Sequence, residues 1–114
     1  MHMGEFELSL NVKSLKESLD FYEKMGFVRI DGDGQTWALL GNGKVKIGLY
    51  QGHIQSNLLT FWSSNVYEKA SKLKECGISF ETEPTLEADG TVGATLLDPD
   101  GNRIYLQANE EECR

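Results

Sequence analysis

Apolar and polar residues alternate near the start of the chain and then recur at helical spacing. Leu8, Leu10 and Val12 alternate with polar neighbours, which is the period of a half-buried strand. Ser14 and Glu17 form a capping box, which predicts that a helix begins there. The apolar stripe of this helix and the glycine that ends it are Leu15, Leu19, Tyr22 and Gly26. A second strand is expected directly after that glycine.

This pattern occurs twice. The segment 57–80 aligns with the first stretch at a shift of 51 residues, and Asn65 with Glu68 repeats the capping box. At a shift of 57 residues, the segment 46–49 aligns with 103–106. A repeated supersecondary unit of this kind predicts two similar modules.

Each module is predicted to fold as β-α-β-β-β. The fold class is α+β: two such modules in tandem, whose curved, mostly antiparallel eight-stranded sheet surrounds a cleft and carries one helix per module on the outside. The predicted strands are 6–12, 27–30, 36–40, 44–50, 58–63, 78–81, 92–97 and 103–107, the helices are 15–25 and 66–76, and 84–90 is a polar loop. The modules span about 5–50 and 57–108 of one domain, with a linker at 51–56 and a frayed tail at 109–114.

Composition narrows the choice of partners. The chain has 114 residues and a net charge of -7, and no cluster of Lys or Arg stands out, so neither nucleic acid nor an anionic membrane is an expected partner. No apolar run approaches the length of a membrane span, and no secretory segment follows Met1. Cys76 and Cys113 lack metal-ligand spacing and are expected to be reduced thiols in a cytoplasmic protein.

Two segments resemble a known family. SLKESLDFYEKMGF and LLDPDGNRIYLQ are similar to the vicinal oxygen chelate superfamily, which includes glyoxalase I, extradiol dioxygenases, methylmalonyl-CoA epimerase and the bleomycin- and fosfomycin-resistance proteins. The resemblance covers about residues 5–108. It implies the fold described above and leaves the activity open, because one fold hosts many functions.

The resemblance also implies where a metal would be bound. In the metal enzymes of this family the ligands, usually His or Glu, occupy four strand positions that face the cleft. Those positions correspond here to Glu7, Gly48, Leu58 and Tyr105. One carboxylate is left where a divalent ion needs three or four N, O or S donors, so no metal and no other cofactor is expected.

The parity of the strands predicts the residues that line the cleft. Because Leu8, Leu10, Ile47, Leu49, Leu59, Phe61, Ile104 and Leu106 are expected to face the helices, their neighbours face the other way. The predicted ligand-binding residues are Glu7, Ser9, Trp37, Lys46, Gly48, Tyr50, Leu58, Thr60, Trp62, Arg103, Tyr105 and Gln107. Trp37 is placed opposite Gly48, although the register of its hairpin is ambiguous by one residue. Aromatic side chains mixed with a few polar groups are typical of a small-molecule site.

Several of these residues have two interpretations. Glu7 is either a strand carboxylate paired with Lys46 or Arg103, or a general base in a partly dry cleft. Arg103 either binds a carboxylate or phosphate or is simply solvated. The aromatic residues Tyr50, Trp62 and Tyr105 either fill the space of the absent metal or stack on a planar ligand.

Three functions remain open from the sequence. The first is a metal-free protein that binds a small aromatic or amphipathic molecule, as the resemblance to the drug-sequestering branch implies. The second is a glyoxalase-like lyase, isomerase or dioxygenase that uses Glu7 as its catalytic acid or base, or an unrecognised metal site. Lactoylglutathione lyase activity is not expected, because that reaction needs a Lewis acid. The third is a non-catalytic domain with a filled cleft. A homodimer is expected by resemblance.

Overall fold

A computed structural model describes the chain through residue 113, with side chains described through residue 111. Within that part the chain forms eight strands, two α-helices and one short 3-10 helix. In chain order these are β1 (Glu5–Asn11), α1 (Leu15–Lys24), β2 (Val28–Asp31), β3 (Trp37–Asn42), β4 (Val45–Tyr50), β5 (Leu58–Trp62), α2 (Val66–Glu75), β6 (Thr82–Leu86), β7 (Thr91–Leu97), β8 (Arg103–Asn109) and the 3-10 helix Glu110–Cys113. The order β-α-β-β-β therefore occurs twice, which confirms the predicted α+β fold of two similar modules.

The chain divides into two compact units, which are described separately. The first unit is Glu7–Leu58, and the second comprises Met1–Phe6 with the rest of the chain from Leu59. In the first unit the strand order is β2-β3-β4-β1. β1 pairs with β4 in parallel, whereas β3 pairs antiparallel with both of its neighbours. In the second unit the order is β5-β8-β7-β6, with β5 and β8 parallel and the other pairs antiparallel.

Each unit buries the face of its sheet that carries the apolar alternation. In the first unit the buried cluster is Leu15 from α1 with Ala38, Leu40, Ile47 and Leu49 from β3 and β4. In the second unit it is Val66 from α2 with Val92, Ala94, Leu96, Leu106 and Ala108 from β7 and β8. Leu10, Phe61 and Ile104 pack against these clusters, so the parity predicted for the helix-facing side is confirmed for them.

The helix caps differ between the units. At the start of α1 the Ser14 side chain accepts a hydrogen bond from the Glu17 backbone N–H over 3.3 Å, as the capping box predicts. The second predicted cap is wrong, because Asn65 makes no such hydrogen bond. Its backbone is left-handed, with φ 55° and ψ 49°, whereas a capping side chain needs an extended backbone at that position.

The sixth strand differs most from its prediction. The sequence predicts a strand at 78–81 and a loop at 84–90, but β6 is Thr82–Leu86. It contains Pro84, which usually argues against a strand. β6 pairs only with β7 and its register shifts between Thr82 and Thr85, so the proline lies at an edge irregularity where its missing N–H costs no ladder bond.

Regular structure continues to residue 113, further than expected. β8 continues to Asn109, and the Glu110 backbone N–H donates to the Gly90 carbonyl over 3.0 Å. Cys76 is exposed and forms no disulfide with a described residue. The side chain of Cys113 and the whole of Arg114 lie outside the described residues. Among residues 1–113, neither α-helix has the length or the apolar character of a membrane span.

Candidate functional site

The face of each sheet that points away from its helix is called the open face here. In the first unit, Ser9 pairs with Gly48, and the next residues of both strands belong to the helix side. Because side chains alternate along a strand, Glu7, Ser9, Gly48 and Tyr50 share the open face. The structure brings these four predicted site residues together.

Glu7 is the centre of this group. Its side chain is 6% exposed although it carries a carboxylate. Oε2 accepts a hydrogen bond from the Ser9 hydroxyl over 2.6 Å and another from the Tyr50 hydroxyl over 2.8 Å. Both donors are neutral hydroxyls. Within its own unit, Arg103 is hydrogen-bonded to Glu81.

Gly48 makes room for this carboxylate. A Cβ atom at this position would lie 2.2 Å from Glu7 Oε2 and 2.6 Å from Cε2 of Tyr50. Both distances are far below a normal van der Waals contact. A side chain at residue 48 would therefore displace the carboxylate and the tyrosine ring, so the glycine is required by the packing of Glu7.

An aromatic pair adjoins the carboxylate. Trp37 lies directly opposite Tyr50 on β3 and β4, and the two rings are parallel within 2°, with centroids 6.1 Å apart. The ring of His53 meets Tyr50 edge-on, with centroids 6.5 Å apart. The predicted position of Trp37 opposite Gly48 is wrong by two residues. Leu39 occupies that place, since the hairpin turns at residues 43–44. Because the shift is two residues and side chains alternate along a strand, Trp37 still lies on the open face.

Tyr50 is held in its neutral form. Burial raises the pKa of its hydroxyl, and the negative charge of Glu7 and the hydrogen bond to it raise this pKa further. The hydroxyl therefore remains a hydrogen-bond donor at neutral pH. Tyr50 thus has a fixed role toward Glu7: it donates a proton in a hydrogen bond and does not release it.

One oxygen of Glu7 is left for another partner. Both hydrogen bonds to the carboxylate end on Oε2. In the described part of the chain, no buried side-chain nitrogen or oxygen lacks a hydrogen-bond partner. Oε1, which no described donor meets, is therefore not sealed from solvent and can accept a hydrogen bond from a ligand.

The remaining predicted residues of the first unit lie beside this group. Lys46 shares the open face with Gly48 and is half-buried. Leu58, the first residue of β5, is also half-buried. Neither contacts the Glu7 carboxylate among the contacts described for residues 1–111.

The open face of the second unit is built differently. Thr60 pairs with Tyr105, and Trp62 pairs with Gln107. Tyr105 lies over Gly93, where a Cβ atom would be 2.5 Å from the tyrosine hydroxyl oxygen. Burial, and then the charges of Glu87 and Asp89, raise the pKa of Tyr105. Trp62 is 40% exposed.

Arg103 is part of a polar cluster on the same sheet. Its guanidinium makes two parallel hydrogen bonds of 2.8 Å to the two carboxylate oxygens of Glu81. Thr95 donates to the same carboxylate over 3.1 Å. The sequence reading missed Glu81 because it was assigned to a strand that does not form. This pairing leaves the Arg103 guanidinium engaged by a protein carboxylate.

A comparison with protein families shows which family the chain belongs to. The model described as the glyoxalase/bleomycin resistance protein/dioxygenase superfamily matches residues 3–106. The chain belongs to this superfamily. The predicted resemblance to the vicinal oxygen chelate group is thereby confirmed. A search of curated proteins found no match.

Solved structures agree with the fold of the superfamily. A Legionella pneumophila protein described as an NAD-dependent benzaldehyde dehydrogenase is 21% identical, with a TM-score of 0.78 over 91% of this chain and 98% of that chain. The hypothetical protein BH1468 from Bacillus halodurans is 19% identical, with a TM-score of 0.66 over 95% and 94%. A superfamily member from Vibrio splendidus is 13% identical, with a TM-score of 0.63 over 92% and 97%. At these identities the likeness concerns the fold alone.

The residues at the four positions where the resemblance implies metal ligands do not fit a divalent ion. Glu7 is the single carboxylate among Glu7, Gly48, Leu58 and Tyr105, and its Oε2 already accepts two hydrogen bonds. No group of three or more His, Cys, Asp or Glu side chains suited to a metal occurs among the described residues. Leucine and glycine side chains offer no donor atom, so the donor chemistry of a superfamily metal site is missing here.

Proposed function

We propose that this chain binds a small aromatic or amphipathic molecule on the open face of its first unit, without a metal ion. The observation that carries the proposal is the Glu7 carboxylate, which is buried over Gly48 and held by Ser9 and Tyr50. Superfamily membership supplies a fold that hosts both binding proteins and enzymes, so the argument depends on these residues.

The aromatic pair supports an aromatic ligand. Trp37 and Tyr50 are half-buried, and the edge of their stack adjoins the carboxylate. An apolar wall beside a fixed polar group is the arrangement by which proteins hold and orient small molecules. A planar ligand can extend the stack while it forms a hydrogen bond with Oε1 of Glu7.

The two tryptophans of the chain allow a direct test, because one lies in each unit. A panel of aromatic and acyl-CoA compounds is first screened by thermal shift, since a ligand of the folded state raises the unfolding midpoint. A compound that raises it is then titrated into Trp62→Phe, which leaves Trp37 as the fluorophore, and into Trp37→Phe, which leaves Trp62. The proposal expects the Trp37 fluorescence of Trp62→Phe to change on titration, and the stabilisation by the same compound to weaken in Trp37→Phe, which lacks one ring of the aromatic pair. An unchanged Trp37 signal, or no stabilising compound in the panel, contradicts it.

The alternative is an enzyme in which Glu7 acts as acid or base. The burial of Glu7 favours it, because a partly dry carboxylate is a usual catalytic group. The two hydroxyl donors weigh against it, because they occupy Oε2 and leave Oε1 alone to move a proton. Loss of turnover of any substrate in Glu7→Gln with substrate affinity retained would favour the enzyme over the binding protein.

The expected homodimer and cytoplasmic location stay predictions. Sedimentation at micromolar concentration tests the first, and a monomer there would contradict it.

A further inference from the structure

We infer that the ligand carries a protonated amine, which pairs with Oε1 of Glu7. This inference rests on the proposed function and names the chemical class of its ligand as a small arylalkylamine. The starting observation is electrostatic: Glu7 is 6% exposed, and both of its hydrogen-bond donors are neutral hydroxyls.

A buried carboxylate normally has a cationic partner. Removing a carboxylate from water is costly unless a counter-charge and hydrogen bonds replace the water. The two hydrogen bonds described for the Glu7 carboxylate come from Ser9 and Tyr50, and neither partner is a cation. The hydroxyls of Ser9 and Tyr50 stabilise one oxygen but supply no positive charge to Glu7.

The surrounding contacts fix the orientation of this carboxylate. The packing of Gly48 against the carboxylate and the two bonds to Oε2 fix the orientation of Glu7. Oε1 is the oxygen that still reaches solvent. An ammonium group supplies up to three N–H donors and a full positive charge, so it satisfies this oxygen better than a hydroxyl does.

The neighbouring rings favour the same class. An ammonium near the face of an aromatic ring is attracted by the ring quadrupole, and Tyr50 carries its ring beside the carboxylate. The aryl part of the ligand then meets the Trp37–Tyr50 stack. The net charge of -7 attracts cations and repels anions at longer range.

The test compares three naphthalene probes that share one ring system. Naphthylmethylamine is cationic, naphthalenemethanol is neutral and naphthoate is anionic at neutral pH. Their dissociation constants are measured on the folded protein through Trp37 fluorescence in Trp62→Phe, and by calorimetry on the natural sequence. A charge-assisted hydrogen bond is worth about 1.5–3 kcal/mol, so the amine is expected to bind roughly 10- to 100-fold more tightly than the alcohol. Naphthoate is expected to bind most weakly.

Glu7→Gln tests the assigned residue. The amide keeps the shape of the carboxylate and can still accept hydrogen bonds from the two hydroxyls. The alcohol should therefore bind within about twofold of its original affinity. The amine should lose its roughly tenfold or larger advantage, because the negative charge is gone. The matched control is Glu23→Gln, which removes one exposed carboxylate of α1 and changes the net charge equally. It should leave the preference for the amine unchanged.

The possible results separate the two proposals. Equal binding of amine and alcohol, or an amine preference that survives Glu7→Gln, overturns the inference and leaves the binding function intact. Failure of all three probes to bind at millimolar concentration counts against both. If Glu7→Gln does not fold, the comparison of the three probes on the natural sequence still decides the inference.

Discussion

Equivalent positions in the parallel strand pairs of the two units hold different residues. Gly48 in β4 corresponds to Tyr105 in β8, since Gly48 pairs with Ser9 and Tyr105 pairs with Thr60, which the 51-residue shift of the repeat relates to Ser9. In the first unit, the Glu7 carboxylate packs directly against the backbone of Gly48, in the space that a side chain would fill. In the second unit the tyrosine itself covers the sheet, and the glycine beneath it is Gly93 on the adjacent strand.

The helix sides show no such divergence. Leu49 and Leu106 occupy equivalent positions, and each is fully buried in the core of its unit. The repeated part of the sequence is therefore the part that builds the core. The open faces, which the core does not constrain, are where the units differ, and a difference that packing does not demand is a reason to look for function there.

The largest expected effect tests the equivalence of the cores. Leu49→Ala and Leu106→Ala each remove a side chain that is 0% exposed, and each should lower the free energy of unfolding by about 2–5 kcal/mol. Urea denaturation followed by circular dichroism measures both. If the losses of unfolding free energy in the two variants differ by more than this range, the two cores are not built alike.

Much of the fold was predictable because its signals are local. Alternation, one capping box and the glycine after each helix define the elements, and the repeat identifies the modules. β6 was not predictable, because it depends on a tertiary contact. Thr82–Leu86 becomes a strand by pairing with β7, whereas its own composition, with Pro84, predicts a loop.

The face shared by four of the candidate residues was predictable, but their contacts were not. Strand parity placed Glu7, Ser9, Gly48 and Tyr50 on one face, which the register confirms. The hydrogen-bond partners of Glu7 were not predictable, because strand parity shows which side chains share a face and not which of them meet the carboxylate.

The next test concerns the two open-face glycines. Gly48→Ala should destabilise by about 1–3 kcal/mol and abolish ligand binding, because the new methyl group overlaps a buried, doubly hydrogen-bonded carboxylate. Gly93→Ala meets the outer end of the Tyr105 ring, which has no described hydrogen bond to hold it, and should cost about 1 kcal/mol or less. Urea midpoints and binding titrations decide; equal losses in both variants would contradict the assigned difference.

The two tyrosines provide a smaller contrast. Tyr50→Phe removes one of the two donors to Glu7 and should cost about 1–2 kcal/mol, the usual penalty for an unsatisfied buried acceptor. Tyr105→Phe removes a hydroxyl without a described hydrogen bond and should change stability by about 0.5 kcal/mol or less. Urea denaturation at neutral pH measures both, and a larger cost at Tyr105 would reverse the comparison.

Alkaline pH tests the same tyrosine in another way. The pKa of Tyr50 is raised in the folded state, so above about pH 10 the unfolded chain loses this proton while the folded chain retains it. Stability should therefore fall as the pH rises from there toward the folded pKa. This decline should be shallower in Tyr50→Phe, as measured by urea midpoints between neutral and alkaline pH; an equal slope in the variant would show that Tyr50 is not its source.

The smallest effect concerns the helix starts. Ser14→Ala removes the cap of α1 and should cost about 1 kcal/mol, whereas Asn65→Gly should be neutral or stabilise by less than about 1 kcal/mol. The reason is that Asn65 caps nothing and holds a left-handed backbone at φ 55°, which glycine adopts without a Cβ penalty. Thermal midpoints compare the two variants, with Ser14→Gly as the control for backbone freedom. A loss at Asn65→Gly as large as that at Ser14→Ala would mean that the asparagine side chain stabilises α2 after all, and that the two helices begin in the same way.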